Sequence, residues 1–301
     1  ADYVMSAISG LEGLNPTLKV IKKTKRIAIA NKESIICGWG LIRKELKKYR
    51  TEFIPVDSEH FSIWSVIKNY DRSDIEKVIL TASGGPFLNK KIKKSIKIKD
   101  AINHPNWRMG KKISIDSATL MNKIFEVIEA KKIFDIEFKK FDILIHPNSY
   151  IHAIVKLKNG LIKIVAHDTN MQIPISNSIY LGSLNKKFIK TKRIDLDILN
   201  SLNLEKVNVK KFPVIKLLKR MSKKDSLFDT ILVSVNDELV NLFLKNKINF
   251  LDISSKICNL IDLPVFSKYK LQKPKNLAQI EKLNEFVRLK TRALSVISEK
   301  K

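Results

Sequence analysis

Two carboxylates, Asp57 and Glu59, follow an apolar run in the stretch IPVDSEH (54–60), with one serine between them. On a strand, or an extended strand end, residues i and i+2 point the same way, so the two acids would converge on one spot. Like charges that close repel unless a cation or a proton lies between them. An isolated D-x-E is also what a solvated loop after a strand looks like, and a third acid is what weighs against that. It stands in SIDSATLMNKIFEVIEA (114–130). Read as one helix capped by Ser114 or Asp116, this stretch puts Thr119, Asn122, Lys123 and Glu126 on one stripe at 100° per residue. Leu120, Met121, Ile124, Phe125, Val127 and Ile128 cover the other side. Such a helix either turns its polar stripe to water or packs its apolar face on a sheet and turns the stripe to a cleft. An all-carboxylate metal set points to Mg²⁺ or Mn²⁺, not zinc.

An anion has candidate partners as well. Ser117 is placed near the N-terminus of that helix, where backbone N–H groups and the helix dipole favour negative charge. SGGP (83–86) follows an apolar strand, and glycines there let backbone N–H groups turn toward a phosphate, although many Gly pairs are only turns. Ser83, Ser117, Asn122 and Lys123 together offer hydroxyls, an amide and a point charge. HPNWRMG (104–110) carries His104 and Trp107 between Pro105 and Gly110, and reads either as a lid that closes an aromatic side chain over a ligand or as a surface loop with a buried Trp. The five histidines, His60, His104, His146, His152 and His167, form no HxH or HExxH pattern, and each reads individually as structural.

These residues need elements to hold them. RIAIA (26–30) reads as a short buried strand, 31–48 as a helix and FIPV (53–56) as the next strand. That spacing is a βαβ unit, hence a parallel sheet. Ligands of such sheets sit beyond the carboxyl ends of the strands, the position of Asn31 to Glu33 and of Asp57 to Glu59. KVILTASGGP (77–86) repeats the pattern. HAIVKLKNGLIKIVAH (152–167) is a hairpin around Asn159-Gly160, so antiparallel structure joins the parallel part. Residues 181–224 are Lys-rich and poorly patterned, and from about Asp225 the periodicity is helical.

The chain has 301 residues, enough for two or three domains. Its net charge of +27 suggests a nucleic-acid partner, but only nine of its 57 basic residues are arginine. Arginine is the better residue for bidentate phosphate and base contacts. The lysines are interleaved with Ile and Asn along the whole chain, as solvated faces, so no specific nucleic-acid partner is expected. Cys37 and Cys258 give no disulfide framework and suit a reducing compartment. No apolar run approaches the roughly 18 residues of a membrane span, and no targeting segment is visible, so a cytoplasmic protein is expected.

The motifs ANKES, PVDSEH, SGGPF, HPNW.MG.KISIDSATLMNK..E.IEA and HP.S.IHA.V, in this order, resemble 1-deoxy-D-xylulose 5-phosphate reductoisomerase. The likeness is tightest between Ala30 and His152 and loose between about 180 and 225. It implies an α/β enzyme that converts 1-deoxy-D-xylulose 5-phosphate and NADPH into 2-C-methyl-D-erythritol 4-phosphate. It implies Asp57, Glu59 and Glu126 as ligands of Mg²⁺ or Mn²⁺. Ser83, Ser117, Asn122 and Lys123 match phosphate-side contacts, and Lys32, Ser58 and His104 match further substrate contacts. Asn31, Glu33 and Gly110 match NADPH contacts, Met171 matches a position against the nicotinamide, and Trp107 matches the lid aromatic. A homodimer is implied too. Many members carry Gly-Leu where this chain has Ile124-Phe125, on the apolar side of the helix, so repacking is expected there. The family also opens with a Rossmann unit bearing a glycine-rich loop. Gly10 with Gly13, and Gly38 with Gly40, do not fit that pattern, so the chain is expected to begin inside the cofactor domain.

The expected architecture is a partial Rossmann-like dinucleotide-binding domain (1–56), an α/β catalytic domain with a mixed sheet (57–180), a linker or surface segment (181–224) and a C-terminal helical bundle (225–301). The competing reading is a truncated, non-enzymic basic protein that binds acidic partners.

Overall fold

The structure, a computed structural model, describes all residues except 181–188, 190, 192, 223 and 297–301. It begins with β1 (Tyr3–Ser6), α1 (Leu14–Ile21), β2 (Arg26–Ile29), α2 (Lys32–Tyr49), β3 (Glu52–Pro55) and α3 (Ser58–Ile67). The three strands form a parallel sheet in the order β1-β2-β3. Ile27, Ala28 and Ile29 are buried in succession, as a strand covered on both faces requires. Asn31 starts α2 by accepting the Ser34 N–H at 2.8 Å, and Arg50 ends it in the left-handed conformation.

A second sheet is mixed. β4 (Ile75–Ala82) precedes the helices α4 (Ile98–Ile102), α5 (Lys111–Thr119) and α6 (Met121–Phe134), which β5 (Phe141–Ile145), β6 (Ile151–Leu157) and β7 (Ile162–Ala166) follow. β4 runs parallel to β5 and antiparallel to β6, and β6 pairs antiparallel with β7 through the turn at Gly160, whose φ is +90°. The expected single helix over 114–130 is two helices. Leu120, 2% exposed, sits between them in the left-handed conformation at φ 68°. Thr119 Oγ1 turns back on the carbonyls of Ile115 and Asp116, and no Gly or Pro marks the break in the sequence.

After α7 (Gln172–Tyr180) and α8 (Leu196–Asn200), β8 (Glu205–Lys206) pairs with β5 and completes the sheet order β7-β6-β4-β5-β8. The stretch 181–224, read from the sequence as linker or surface, thus supplies a sheet edge where it is described. It also supplies core, because Phe212, Val214 and Leu217 are buried. Three of these apolar residues fall within six positions, too short a run for periodicity to reveal. The chain ends in helices α9 (Phe228–Leu244), α10 (Phe250–Leu260) and α11 (Leu277–Val296). No helix among the described residues is long and apolar enough to cross a membrane.

Candidate active site

A cavity of about 230 Å³ opens where β2, β3 and β4 end, against Ala30, Asp57 and Ser83, the carboxyl-end position of open α/β sheets. Asp57 and Glu59 do not reach it by strand alternation. Asp57 is the N-cap of α3, its Oδ1 accepting the Ser58 N–H at 3.0 Å, and Glu59 stands in the first helical turn. Glu126 arrives from the second turn of α6. Oxygens of the three carboxylates all lie within 4.8 Å of one another. His60 ties the two helices together: fully buried, it places Nε2 2.9 Å from the Glu126 carbonyl oxygen.

Two ammonium groups sit among the three acids. Lys32 Nζ is 2.9 Å from Asp57 Oδ2 and 3.5 Å from Glu126 Oε1. Lys123 Nζ is 2.7 Å from Glu59 Oε1 and touches Glu126 Oε2. Asn122 joins the network, accepting from Lys32 at 2.7 Å and donating to Glu126, and Ser58 donates to Glu59 at 2.6 Å. Burial alone would push the carboxyls of Asp57 and Glu59 up, but Lys32 and Lys123 respectively hold them below the usual range. Glu126 bears the remaining negative charge. Burial first, then repulsion from Glu59, pushes its carboxyl up to about 7. An all-oxygen cluster that is one positive charge short fits a hard divalent cation.

The stripe Asn122, Lys123, Glu126 faces this cluster and not water, for Lys123 and Glu126 are 5% and 1% exposed. Ser117 also lines the cavity, but near the C-terminal end of α5, so the expected helix N-terminus behind it is absent. Ser83 is better equipped. His104 Nδ1 accepts the backbone N–H of Asn106 and Trp107 at 3.1 and 3.0 Å, which assigns the ring proton to Nε2. Nε2 lies 2.9 Å from Ser83 Oγ, which also accepts the Gly85 N–H at 3.1 Å. With two donors aimed at its oxygen, the Ser83 hydroxyl keeps its own proton for a ligand. Burial pushes His104 down to about 4, so this neutral tautomer holds at neutral pH.

Trp107, Arg108, Met109 and Met171 complete the rim. Trp107 meets the edge of His152, whose ring stacks on His167 at 3.7 Å between centroids. His152 and Ser149 line the cavity although the sequence reading assigned them no role. Both stand in the HP.S.IHA.V motif, the one signal that could have found them. The register of β6 shifts between Ile151 and Ala153, and a bulge of that kind re-aims the residue it contains. Ser149 is held by a tight turn at φ 54° and accepts from Asn106 at 2.8 Å.

Three expected site residues are not among those lining the cavity: Asn31, Glu33 and Gly110. The Asn31 side chain is spent on capping α2 and on the carbonyls of Ile8 and Gly10. Glu33 is buried against Lys112, and Gly110 caps α5.

Known proteins resemble this chain along its length. Sequence models match at residues 1–39 (1-deoxy-D-xylulose 5-phosphate reductoisomerase), 53–134 (the C-terminal domain of that enzyme) and 168–290 (DXP reductoisomerase C-terminal domain). The 1-deoxy-D-xylulose 5-phosphate reductoisomerase of Pelagibacter ubique is 59% identical over 297 residues, 98% of this chain and 76% of that relative. The enzyme of the same name from Aquifex aeolicus is 37% identical over 296 residues, 98% of this chain and 75% of its own. Among solved structures, a DOX-P reductoisomerase in complex with NADPH, fosmidomycin and magnesium superposes with a TM-score of 0.89 at 33% identity, covering 100% of this chain and 77% of that one. The Zymomonas mobilis enzyme in complex with NADPH gives 0.84 at 32% identity, covering 98% and 75%.

Proposed function

This chain belongs to the 1-deoxy-D-xylulose 5-phosphate reductoisomerase family, and we propose that the cavity at the ends of β2, β3 and β4 is where its residues perform that chemistry. The protein is an NADPH- and divalent-metal-dependent oxidoreductase. It converts 1-deoxy-D-xylulose 5-phosphate into 2-C-methyl-D-erythritol 4-phosphate in non-mevalonate isoprenoid synthesis. The observation that carries the assignment of the site is the three-carboxylate, two-lysine cluster, one positive charge short, on the cavity wall.

Asp57, Glu59 and Glu126 would hold Mg²⁺ or Mn²⁺, which when bound acts as a Lewis acid on adjoining oxygens of the substrate. Lys32 and Lys123 keep Asp57 and Glu59 ionised and so ready to ligate. Ser58 and Asn122 orient Glu59 and Glu126 through the hydrogen bonds they donate. Ser83, its oxygen already taken by two donors, donates a hydrogen bond through its O–H to the substrate phosphate, which Ser117, Asn122 and Lys123 meet from the α5–α6 side. His104 fixes the direction of Ser83 and, with Trp107, closes the cavity from above β4. Met171 lies on the rim where the nicotinamide would enter. Asn31 and Glu33, directly after the lining residue Ala30, and Gly110, before α5, are assigned to NADPH from the family pattern.

Manganese as an alternative ion follows from the oxygen donor set. A homodimer is supported by β7, an edge strand with Ile162 and Ile164 exposed at 59% and 53%. A cytoplasmic setting is supported by two free thiols, Cys37 and Cys258. The competing reading, a non-enzymic basic protein, has the net charge behind it and is not favoured by a cluster this complete.

The test is NADPH oxidation by the 301-residue chain with substrate and Mg²⁺ or Mn²⁺. Asp57→Asn should lower kcat/KM by at least about 10²-fold, as loss of a ligand exceeds loss of an outer partner. Chelation should stop wild-type turnover and added metal restore it. Equal turnover of wild type and Asp57→Asn would remove the metal site.

A further inference from the structure

Lys112 does not line the cavity, yet three carboxylates from three helices converge on it. Its Nζ touches Glu33 of α2, lies 3.1 Å from Asp116 of its own helix and 3.0 Å from Asp237 of α9. It also stands 5.3 Å from the centroid of Phe125, on α6. Asn236 of α9 donates to Asp116 at 2.8 Å, a second tie between the same helices. Glu33 is 7% exposed, so burial alone would push its carboxyl up, but the Lys112 ammonium overrides this and holds it below the ordinary range.

The placement of this hub is what gives it meaning. Glu33 follows Lys32, which reaches Asp57 and Glu126, and Asn31, which anchors the loop after β1 through the Ile8 and Gly10 carbonyls. On the other side, Lys112 stands in the first turn of α5, two residues after its N-cap Gly110. The segment that ends at Gly110 carries His104, Trp107 and Met109 along the cavity. One ammonium group therefore clamps the start of α2 to the base of the Trp107 segment and to α9. With one lysine facing three acids, removing it would leave Glu33 next to two like charges, the buried Asp116 and the partly exposed Asp237, and Glu33 would swing away or neutralise.

We infer that Lys112 is a positioning residue for the cofactor: it holds Glu33 in place at the start of α2 and ties that end to the base of the Trp107 segment, so that NADPH affinity depends on it. This rests on the assignment of Glu33 to NADPH above. Lys112 itself touches no reacting atom and acts through Glu33.

The full chain is the material for the test, as wild type, Lys112→Met, Glu33→Gln, the double variant and Asp237→Asn. NADPH affinity is read from nucleotide fluorescence, substrate KM at saturating NADPH, and folding from circular dichroism. Lys112→Met should raise the NADPH Kd about tenfold or more and move the substrate KM less than threefold. The double variant should bind NADPH no worse than about twofold below Glu33→Gln, since residues acting as one unit are non-additive. Asp237→Asn, which removes a different partner of the same lysine, should stay within about threefold of wild type. Additive losses in the double variant, an unchanged Kd in Lys112→Met, or an equal loss in Asp237→Asn would each overturn the role. If Lys112→Met does not fold, Lys112→Gln, which keeps a donor, takes its place with the same expectations. A wild type that binds no NADPH refutes the cofactor reading itself, an outcome separate from the others because it needs no variant.

Discussion

His104 shows how much a single tautomer decides. Two backbone N–H groups occupy its Nδ1, so its Nε2–H must face Ser83, and a serine hydroxyl is left with a proton to give. None of that is visible in the letters HPNW, which mark only an aromatic near a histidine. His152 is the sharper case. Burial, then the neighbouring His167 ring, pushes it down to about 4, so it is neutral in the folded protein and titrates near 6.5 unfolded. A depressed histidine contributes stability that is present above the unfolded pKa and lost as pH falls toward the folded one. Between pH 7 and pH 5 this one group should cost about 2 kcal/mol. Denaturant midpoints of wild type and His152→Asn, compared at both pH values, check this: the variant should lose that much less on acidification.

At the scale of elements, the joint between α5 and α6 shapes the cavity. A continuous helix would have carried Ser117 and Asn122 round a uniform spiral, whereas the left-handed Leu120 lets Ser117 and Asn122 both line one wall. Gly85 lies against this joint. Its φ is +66°, and a Cβ there would stand 3.0 Å from Ala118 Cα and 3.1 Å from the Ser117 carbonyl oxygen. Gly85→Ala should therefore cost more than about 1 kcal/mol and raise the substrate KM, by displacing the end of α5 with Ser117. Thermal melts and steady-state kinetics measure the two effects separately. On the opposite side of α6, Ile124 and Phe125 are both fully buried. Phe125→Ala should cost about 3–5 kcal/mol, seen as a lower melting temperature.

For the whole molecule, the charge of +27 coexists with a cavity cluster of three carboxylates and two lysines that is net negative. The lysines that make the total are mostly surface, while Lys32, Lys112, Lys123 and Lys132 are drawn inside by carboxylates. The edge strand β7 has its outer backbone edge unpaired within the sheet and exposes Ile162 and Ile164 on one face, a combination that can pair with another chain. If the homodimer proposed above forms through this strand, replacing both with lysine should lower the sedimentation coefficient to that of a monomer in sedimentation velocity. Identical sedimentation of the variant and wild type would overturn a dimer built on β7.

The sequence by itself determined the βαβ start, the hairpin at Asn159-Gly160 and the acids, lysines and serines that share the cavity. These are local matters, set by strand and helix periodicity, turn chemistry and short motifs whose members are near in sequence. Tertiary structure alone decided the rest. It broke the helix at Leu120, where burial of a leucine outweighed its preference for ordinary backbone and no Gly or Pro announced the change. It brought Lys32 to Glu126 and Lys112 to Asp237, pairs separated by most of a domain in sequence. It put His152 on the cavity wall through a register shift, and turned Phe212 and Val214 from an unpatterned lysine-rich stretch into core. Burial and charge pairing act between elements distant in sequence, and that is why periodicity along one stretch could not show them.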